Sequence, residues 1–160
     1  MPTEQHKALT RRVVEEIWNK GDLFAIDQLF TPDFVLHDPA NPFVKTRRDY
    51  DQLVTAYRRA FPDLRFAIED QIAEGNLVMT WWGAKGTHTG PLFGYTPTEK
   101  PVMFTGVTID LIHNGQIAET RFNWDALGLF QQLGIVPTIA GVQPVGVGAY
   151  AGPQADSRPQ

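Results

Sequence analysis

Apolar residues return every three or four places through the first third of the chain, and alternate with polar ones through most of the rest. From Glu4 to Lys20, the residues Leu9, Val13, Val14, Ile17 and Trp18 fall on one helical stripe that Gly21 closes. Leu23 to Phe30 reads as a second, short helix, opened by Asp22 and stopped before Pro32. Phe34 to Asp38 is a short strand cut by Pro39. A third helix spans about Arg47 to Phe61, with Tyr50, Leu53, Val54, Tyr57 and Phe61 on one stripe, and Pro62-Asp63 breaks it. Strands then follow at Leu64 to Ala73, Leu77 to His88 and Val102 to Ile112, the first two joined as a hairpin across Glu74-Gly75-Asn76. Asn114-Gly115, a strong hairpin signal, returns the chain as a last strand to Asp125, and a helix from Ala126 to Leu133 ends at Gly134. Helices followed by a run of antiparallel strands predict an α+β domain. Strong twist would curl such a sheet, and helices packed into its concave side would leave a blind pocket.

The last strand carries the densest candidate chemistry. Side chains alternate faces along a strand, so Glu119, Arg121, Asn123 and Asp125 share one face, opposite Ala118, Thr120, Phe122 and Trp124. A carboxylate, a guanidinium and an amide in one row can form an acid/base site, with Arg121 holding Asp125 ionised or stabilising an oxyanion. The same row also reads as the solvent face of a half-buried strand. Asp125 has a third reading, as N-cap of the helix that follows it. Candidates to line the pocket are Trp18, Phe34, Tyr57, Phe61, Trp82, Phe93 and Phe104, with Asn123 beside the polar row.

Composition acts by exclusion. The chain has 160 residues, 42% hydrophobic and 20% charged, which fits one globular domain with a single core. A net charge of −4 argues against nucleic acid or an anionic membrane as partner. No cysteine is present, which removes disulfides, thiolate metal sites and a cysteine nucleophile. With no long apolar run near the N-terminus, neither signal peptide nor membrane helix is expected, and a cytoplasmic location is. His37 and His88 lack a third ligand at suitable spacing, so no metal is expected. Gly86, Gly90 and Gly94 lack the strand–loop–helix setting of a phosphate loop, and no Gly-x-Ser-x-Gly elbow occurs.

Five strings in order carry a resemblance: Trp-Asn-Lys-Gly-Asp (18–22), His-Asp-Pro (37–39), Ala-Phe-Pro-Asp-Leu (60–64), Gly-Thr-His-Thr-Gly (86–90) and Trp-Asp-Ala-Leu-Gly-Leu-Phe-Gln-Gln-Leu-Gly (124–134). Over roughly residues 8 to 134 the chain resembles the SnoaL-like polyketide cyclases of the nuclear transport factor 2-like superfamily. The resemblance implies a cone-shaped, curved and mostly antiparallel sheet with the N-terminal helices closing a deep apolar pocket for a small apolar substrate, a homodimer and cofactor-free chemistry. Its cyclases close a ring in aromatic polyketide biosynthesis by intramolecular aldol condensation. It also implies that Asp125 is the acid/base residue, with His37 and His88 as pocket-side candidates and Arg121 as an unusual cation beside them. Alternatives on the same fold are epoxide hydrolysis, cofactor-independent hydroxylation, or non-catalytic binding of a small molecule.

Two segments stand apart. Residues 135–160, with four prolines, four glycines and only Asp156 and Arg158 charged, read as an extension beyond a domain of residues 1–134. Its first half is expected to pack on the sheet or on a partner subunit. Thr89 to Glu99, interrupted by Gly90, Pro91, Gly94 and Pro97 but bearing Leu92, Phe93 and Tyr95, reads as a lid over the pocket mouth or as a loop packed on the core.

Overall fold

The computed structural model of the chain describes residues 2–137. Helix α1 (Pro2–Arg12) runs without a break into a π-helical segment, Val13–Asn19, which buries Val13, Val14, Ile17 and Trp18. Gly21, at φ +71°, turns the chain out of the segment, and its N–H donates to the Ile17 carbonyl at 3.1 Å. Helix ends leave carbonyls without intrahelical donors. Here Arg58 supplies donors from across the fold, reaching the carbonyls of Trp18 at 2.5 Å and Asn19 at 3.1 Å. A side chain at position 21 would push that guanidinium aside, and the positive φ itself calls for glycine.

Helix α2 (Ala25–Leu29) passes directly into strand β1 (Phe30–His37). The sequence predicts the helix to Phe30 and the strand only from Phe34. The strand instead begins four residues earlier and takes in Pro32. Pro32 is tolerated because β1 lies at the sheet edge, and its pairing register slips between Phe30 and Val35. Helix α3 (Arg47–Ala60) starts at a reciprocal cap: Asp49 N–H donates to Thr46 Oγ1 at 3.2 Å, and Thr46 N–H to Asp49 Oδ2 at 3.0 Å. It buries Tyr50, Leu53, Val54 and Tyr57, as the stripe predicts.

Strands β2 (Arg65–Glu74), β3 (Leu77–Thr87), β4 (Pro101–His113) and β5 (Gln116–Trp124) form an antiparallel run, and helix α4 (Ala126–Gln132) follows. The sheet order is β1-β5-β4-β3-β2, with β1 parallel to β5. The architecture is therefore α+β, with one open, mixed five-stranded sheet. Asn114 and Gly115 both take positive φ (48° and 77°), the geometry that an Asn-Gly hairpin turn demands. The free edge of β2 presents exposed Glu69, Asp70 and Glu74, charges that discourage pairing with another strand.

One face of the sheet is covered by the helices. The even-numbered residues Val78, Thr80, Trp82 and Ala84 of β3 and Val102, Phe104, Gly106 and Asp110 of β4 are buried on it. Register lines these up in rows across three strands: Trp82–Gly106–Trp124, Thr80–Thr108–Phe122 and Val78–Asp110–Thr120. A register shift beside Leu111 and Ile112, where Ala118 is the extra residue on β5, lets Ile117 and Thr120 both point inward. The expected extension past residue 134 lies almost wholly outside the described residues. Among those residues, no helix is long and apolar enough to cross a membrane.

Arg58→Ala removes two hydrogen bonds from a charged donor to the π-segment end. The expected loss is about 1.5–3 kcal/mol, read as a lower urea midpoint with unchanged slope. An unchanged midpoint would show that solvent caps the segment as well as Arg58 does.

Candidate functional site

Between the covered face of the sheet, the π segment and α3 lies a chamber that opens to solvent at one mouth. Its walls are mostly rings. Trp18, Tyr50, Tyr57, Phe66, Trp82, Phe104 and Trp124 all border it. The rings meet edge-on or tilted, as in Trp82–Phe104 (6.1 Å, 88°) and Tyr57–Trp124 (5.9 Å, 83°), arrangements favoured by the aromatic quadrupole. Gly106 sits between Trp82 and Trp124, and a Cβ there would collide with the Trp82 indole and with the Cβ of Trp124. Glycine at this position is what lets two tryptophans occupy one row.

Carboxyl groups enter this wall at two places. Asp110 is 4% exposed, and Thr120 donates its hydroxyl to Asp110 Oδ1 at 2.5 Å. Burial pushes the carboxyl up to about 7, against the smaller opposing effect of the Thr120 hydrogen bond. Tyr50 borders the chamber too, and its phenol oxygen accepts from Trp18 Nε1 at 2.8 Å. Burial, with a smaller contribution from the nearby Asp110 charge, raises the phenol far above its ordinary value, so it stays a hydrogen-bond donor. The second place is Asp38, also 4% exposed, which accepts from Trp124 Nε1 (3.2 Å), Asn41 Nδ2 (2.8 Å) and Ala40 N–H (3.0 Å). No lysine, arginine or histidine is among the residues bordering the chamber.

Of the residues expected to line the pocket, Trp18, Tyr57, Trp82 and Phe104 do so. Phe34 and Phe61 are buried in the core outside the lining. Phe93 is 55% exposed and touches the chamber only indirectly, its ring edge-on to Tyr57 at 5.7 Å.

The polar row requires correction. Glu119, Arg121 and Asn123 project from the opposite, outer face of the sheet. There Glu119 Oε1 joins Arg121 Nη2 (2.7 Å) and His37 Nε2 (2.8 Å) in an exposed trio, brought together by the parallel register of His37 with Arg121. Arg121, Asn123 and His37 are thus outside the chamber. Asp125, expected inside it, is exposed and caps α4, accepting from Gly128 N–H at 2.9 Å. His88 is fully buried but is not part of the lining. Its Nδ1 accepts from Thr98 N–H at 3.1 Å, and its backbone bonds to Lys100 and Glu99. These contacts pin together the two ends of the Thr89–Glu99 loop, whose Leu92 is buried in the core. The alternation along the last strand reads correctly from sequence. The inward face is the one carrying Thr120, Phe122 and Trp124. Asp110 carries its own signal, a carboxylate in phase with Phe104 and Ile112 on an otherwise apolar strand face.

No three His, Cys, Asp or Glu side chains gather as a metal site among the described residues.

The chain belongs to the SnoaL-like polyketide cyclase family, whose profile matches residues 8–133. It shares its fold with an NTF2-like protein from Burkholderia pseudomallei, 12% identical, with a TM-score of 0.66 over 81% of this chain and 97% of that one. No curated protein matches it. Among solved structures, a candidate polyketide cyclase from Acidithiobacillus ferrooxidans is 29% identical, with a TM-score of 0.73 over 81% of this chain and 94% of that one. IdmH, a candidate polyketide cyclase from Streptomyces antibioticus, is 28% identical, with a TM-score of 0.72 over 81% and 99%. AclR, a candidate hydroxylase from Streptomyces galilaeus, is 26% identical, with a TM-score of 0.76 over 87% of each chain.

The burial of Asp110 sets a pH signature. Its folded value of about 7 lies above the roughly 3.9 of an unfolded aspartate. Below both values the group is protonated in either state and costs nothing. As pH rises through this window the unfolded chain ionises first, so wild-type stability falls, and the loss levels off above about pH 7. Asp110→Asn escapes this loss. Its urea midpoint should gain on the wild type between pH 5 and pH 8; parallel midpoints at both pH values would contradict the buried, protonated carboxyl.

Proposed function

We propose that this protein is a cyclase-type enzyme that closes a ring in a small, apolar, polyketide-derived substrate by intramolecular aldol chemistry without a cofactor. Asp110, in place of Asp125, is the acid/base residue. The observation that carries this reading is a carboxyl poised at about 7, facing an aromatic chamber with no cation among its lining residues. A carboxylate with an ordinary value is a weak base, and one held near neutrality can both take and return a proton at working pH.

Ionised Asp110 removes the proton α to a ketone, and the electron pair passes to the ketone oxygen as an enolate. Tyr50 donates its hydroxyl, which has no acceptor among the described residues, to that oxygen. The enolate carbon bonds to a second carbonyl of the same molecule, and the resulting alkoxide takes the proton back from Asp110. Thr120 steers the carboxyl by holding Oδ1, leaving Oδ2 for the substrate. Family membership supports the reaction class, since the matching profile is that of polyketide cyclases.

A second reading has one supporting observation, the likeness to a candidate hydroxylase at 26% identity. The same proton abstraction by Asp110 would then leave a carbanion whose electron pair forms a C–O bond to dioxygen, the peroxide taking the proton back from Asp110 as a hydroperoxide, and labelled dioxygen incorporated into product separates the two. We also place the homodimer implied by the resemblance on the outer sheet face, where Leu77 and Met79 are exposed and Trp81, Val107, Ile109 and Leu111 are half-buried.

A generic carbon acid tests the acid/base assignment before the substrate is known. Exchange of the α-hydrogens of 1-tetralone into heavy water, followed by proton NMR, should be accelerated by the wild type, with a rate rising through about pH 7. Asp110→Asn should lower the enzyme-dependent rate by about 10²-fold or more, and Asp125→Asn should leave it unchanged. Equal rates in the wild type and Asp110→Asn would sink the assignment.

A further inference from the structure

The chamber has a second polar pole that the aldol step does not use. Asp38 follows the end of β1 and borders the chamber beside Trp124, in the region of the Trp82–Gly106–Trp124 row. Asp110 lies four residues further along β4 than Gly106. At about 3.3 Å per residue, the two rows are separated by roughly 13 Å along the strand. That is comparable with the length of a fused tricyclic ring system carrying a substituent. That span is set by the backbone rows; the two carboxyl groups border the chamber near different rows, so one ligand can reach both.

Asp38 is built as an acceptor with capacity to spare. A carboxylate offers about four lone-pair positions. Oδ1 takes Ala40 N–H and Trp124 Nε1, while Oδ2 takes only Asn41 Nδ2. No lysine or arginine pairs with it among the described residues, although it is buried. Burying a carboxylate without a cation is costly unless further donors reach it. Its charge is also felt by Tyr57, whose phenol rises mainly through burial and secondly through Asp38. Both oxygens are partnered, and Oδ2 keeps a lone pair with which it can accept one more donor from the chamber.

We infer that Asp38 is the specificity subsite of this chamber, accepting a hydrogen bond from a hydroxyl group, phenolic or enolic, at the end of the substrate remote from the reacting carbon. The inference rests on the chamber being the substrate site. It names a feature of the substrate class: a ring-rich molecule with a donor hydroxyl at one end and a carbon acid at the other. A carboxylate at the Asp38 end is refused, because two anions would face each other with no cation among the lining residues.

Naphthalene derivatives test this without the natural substrate. Equilibrium dialysis against the full chain compares 2-naphthol, 2-methoxynaphthalene, naphthalene and 2-naphthoate. The wild type should bind 2-naphthol at least tenfold more tightly than naphthalene or the methyl ether, which keeps the bulk but lacks the donor, and should bind 2-naphthoate most weakly. In Asp38→Asn the preference for 2-naphthol should vanish. Asparagine retains Oδ1 for Ala40 and Trp124, and Asn41 can turn its amide to present an oxygen to the new Nδ2. In Asp110→Asn the preference should persist although proton exchange is lost, so the subsite and the acid/base assignment fail independently. Equal binding of 2-naphthol and its methyl ether by the wild type overturns the inference, whether or not Asp38→Asn folds. So does a preference that survives in Asp38→Asn or disappears in Asp110→Asn.

Discussion

Trp18 and Tyr50 meet across the roof of the chamber, and the 2.8 Å hydrogen bond between them ties the π segment to α3. Each ring is buried, and each is held by others: Trp18 against Phe66, and Tyr50 edge-on to Phe30 and Phe34. The bond matters less for its energy than for what it fixes. A buried indole N–H and a buried phenol oxygen would each be expensive to leave unpaired. Satisfying one with the other allows a polar donor to be carried into an apolar roof. The phenol's acceptor side is occupied by Trp18, which leaves its hydroxyl proton free for the chamber. On the sheet below, Thr120 does the corresponding work for Asp110. The chamber is thus polar at a few atoms and apolar everywhere else, because each polar atom is already half satisfied by the scaffold.

Much of this is legible in the sequence, and the failures have physical causes. The apolar stripes of α1 and α3 and the alternation of β3, β4 and β5 follow from side-chain periodicity, which backbone geometry enforces. Three features escape it. A π segment keeps its apolar residues on one side much as an α-helix does, so Val13 to Asn19 carries no distinct signature. The parallel pairing of β1 depends on contacts some 80 residues apart and tolerates Pro32 only because no strand lies beyond it. The third concerns the inward face of β5. Glu119, Arg121 and Asn123 look like chemistry because they are charged or polar, whereas the burial of Phe122 and Trp124 decides the orientation. Removing those two rings from water outweighs anything the charged row gains by facing inward, so the row turns outward. Asp125 likewise draws the eye for its carboxylate, whereas its position immediately before a helix favours the capping role it adopts.

The trio on the outer face shows what those residues do instead. Glu119 is shared by Arg121 and His37 at the edge of a sheet face that is otherwise largely apolar. Half-exposed ion pairs of this kind contribute little to stability, yet they fix the orientation of three long side chains across two strands. The family fold thus separates two kinds of surface on the same sheet: a dry, ring-lined one beneath the helices, and a mixed one facing away.

Gly106 lies opposite a tryptophan on each neighbouring strand, in a row where even a methyl group has no room. The floor at that point is bare backbone, which cannot rotate aside as a side chain can. A ligand lying across it meets a surface of fixed height flanked by two indoles. For protein engineering the consequence is directional. The chamber can be widened by trimming Trp82 or Trp124, at the loss of the hydrogen bond that each indole donates, to Thr108 Oγ1 and to Asp38 Oδ1 respectively. It cannot be narrowed from below, since any substitution at position 106 must first displace the rings that define the walls.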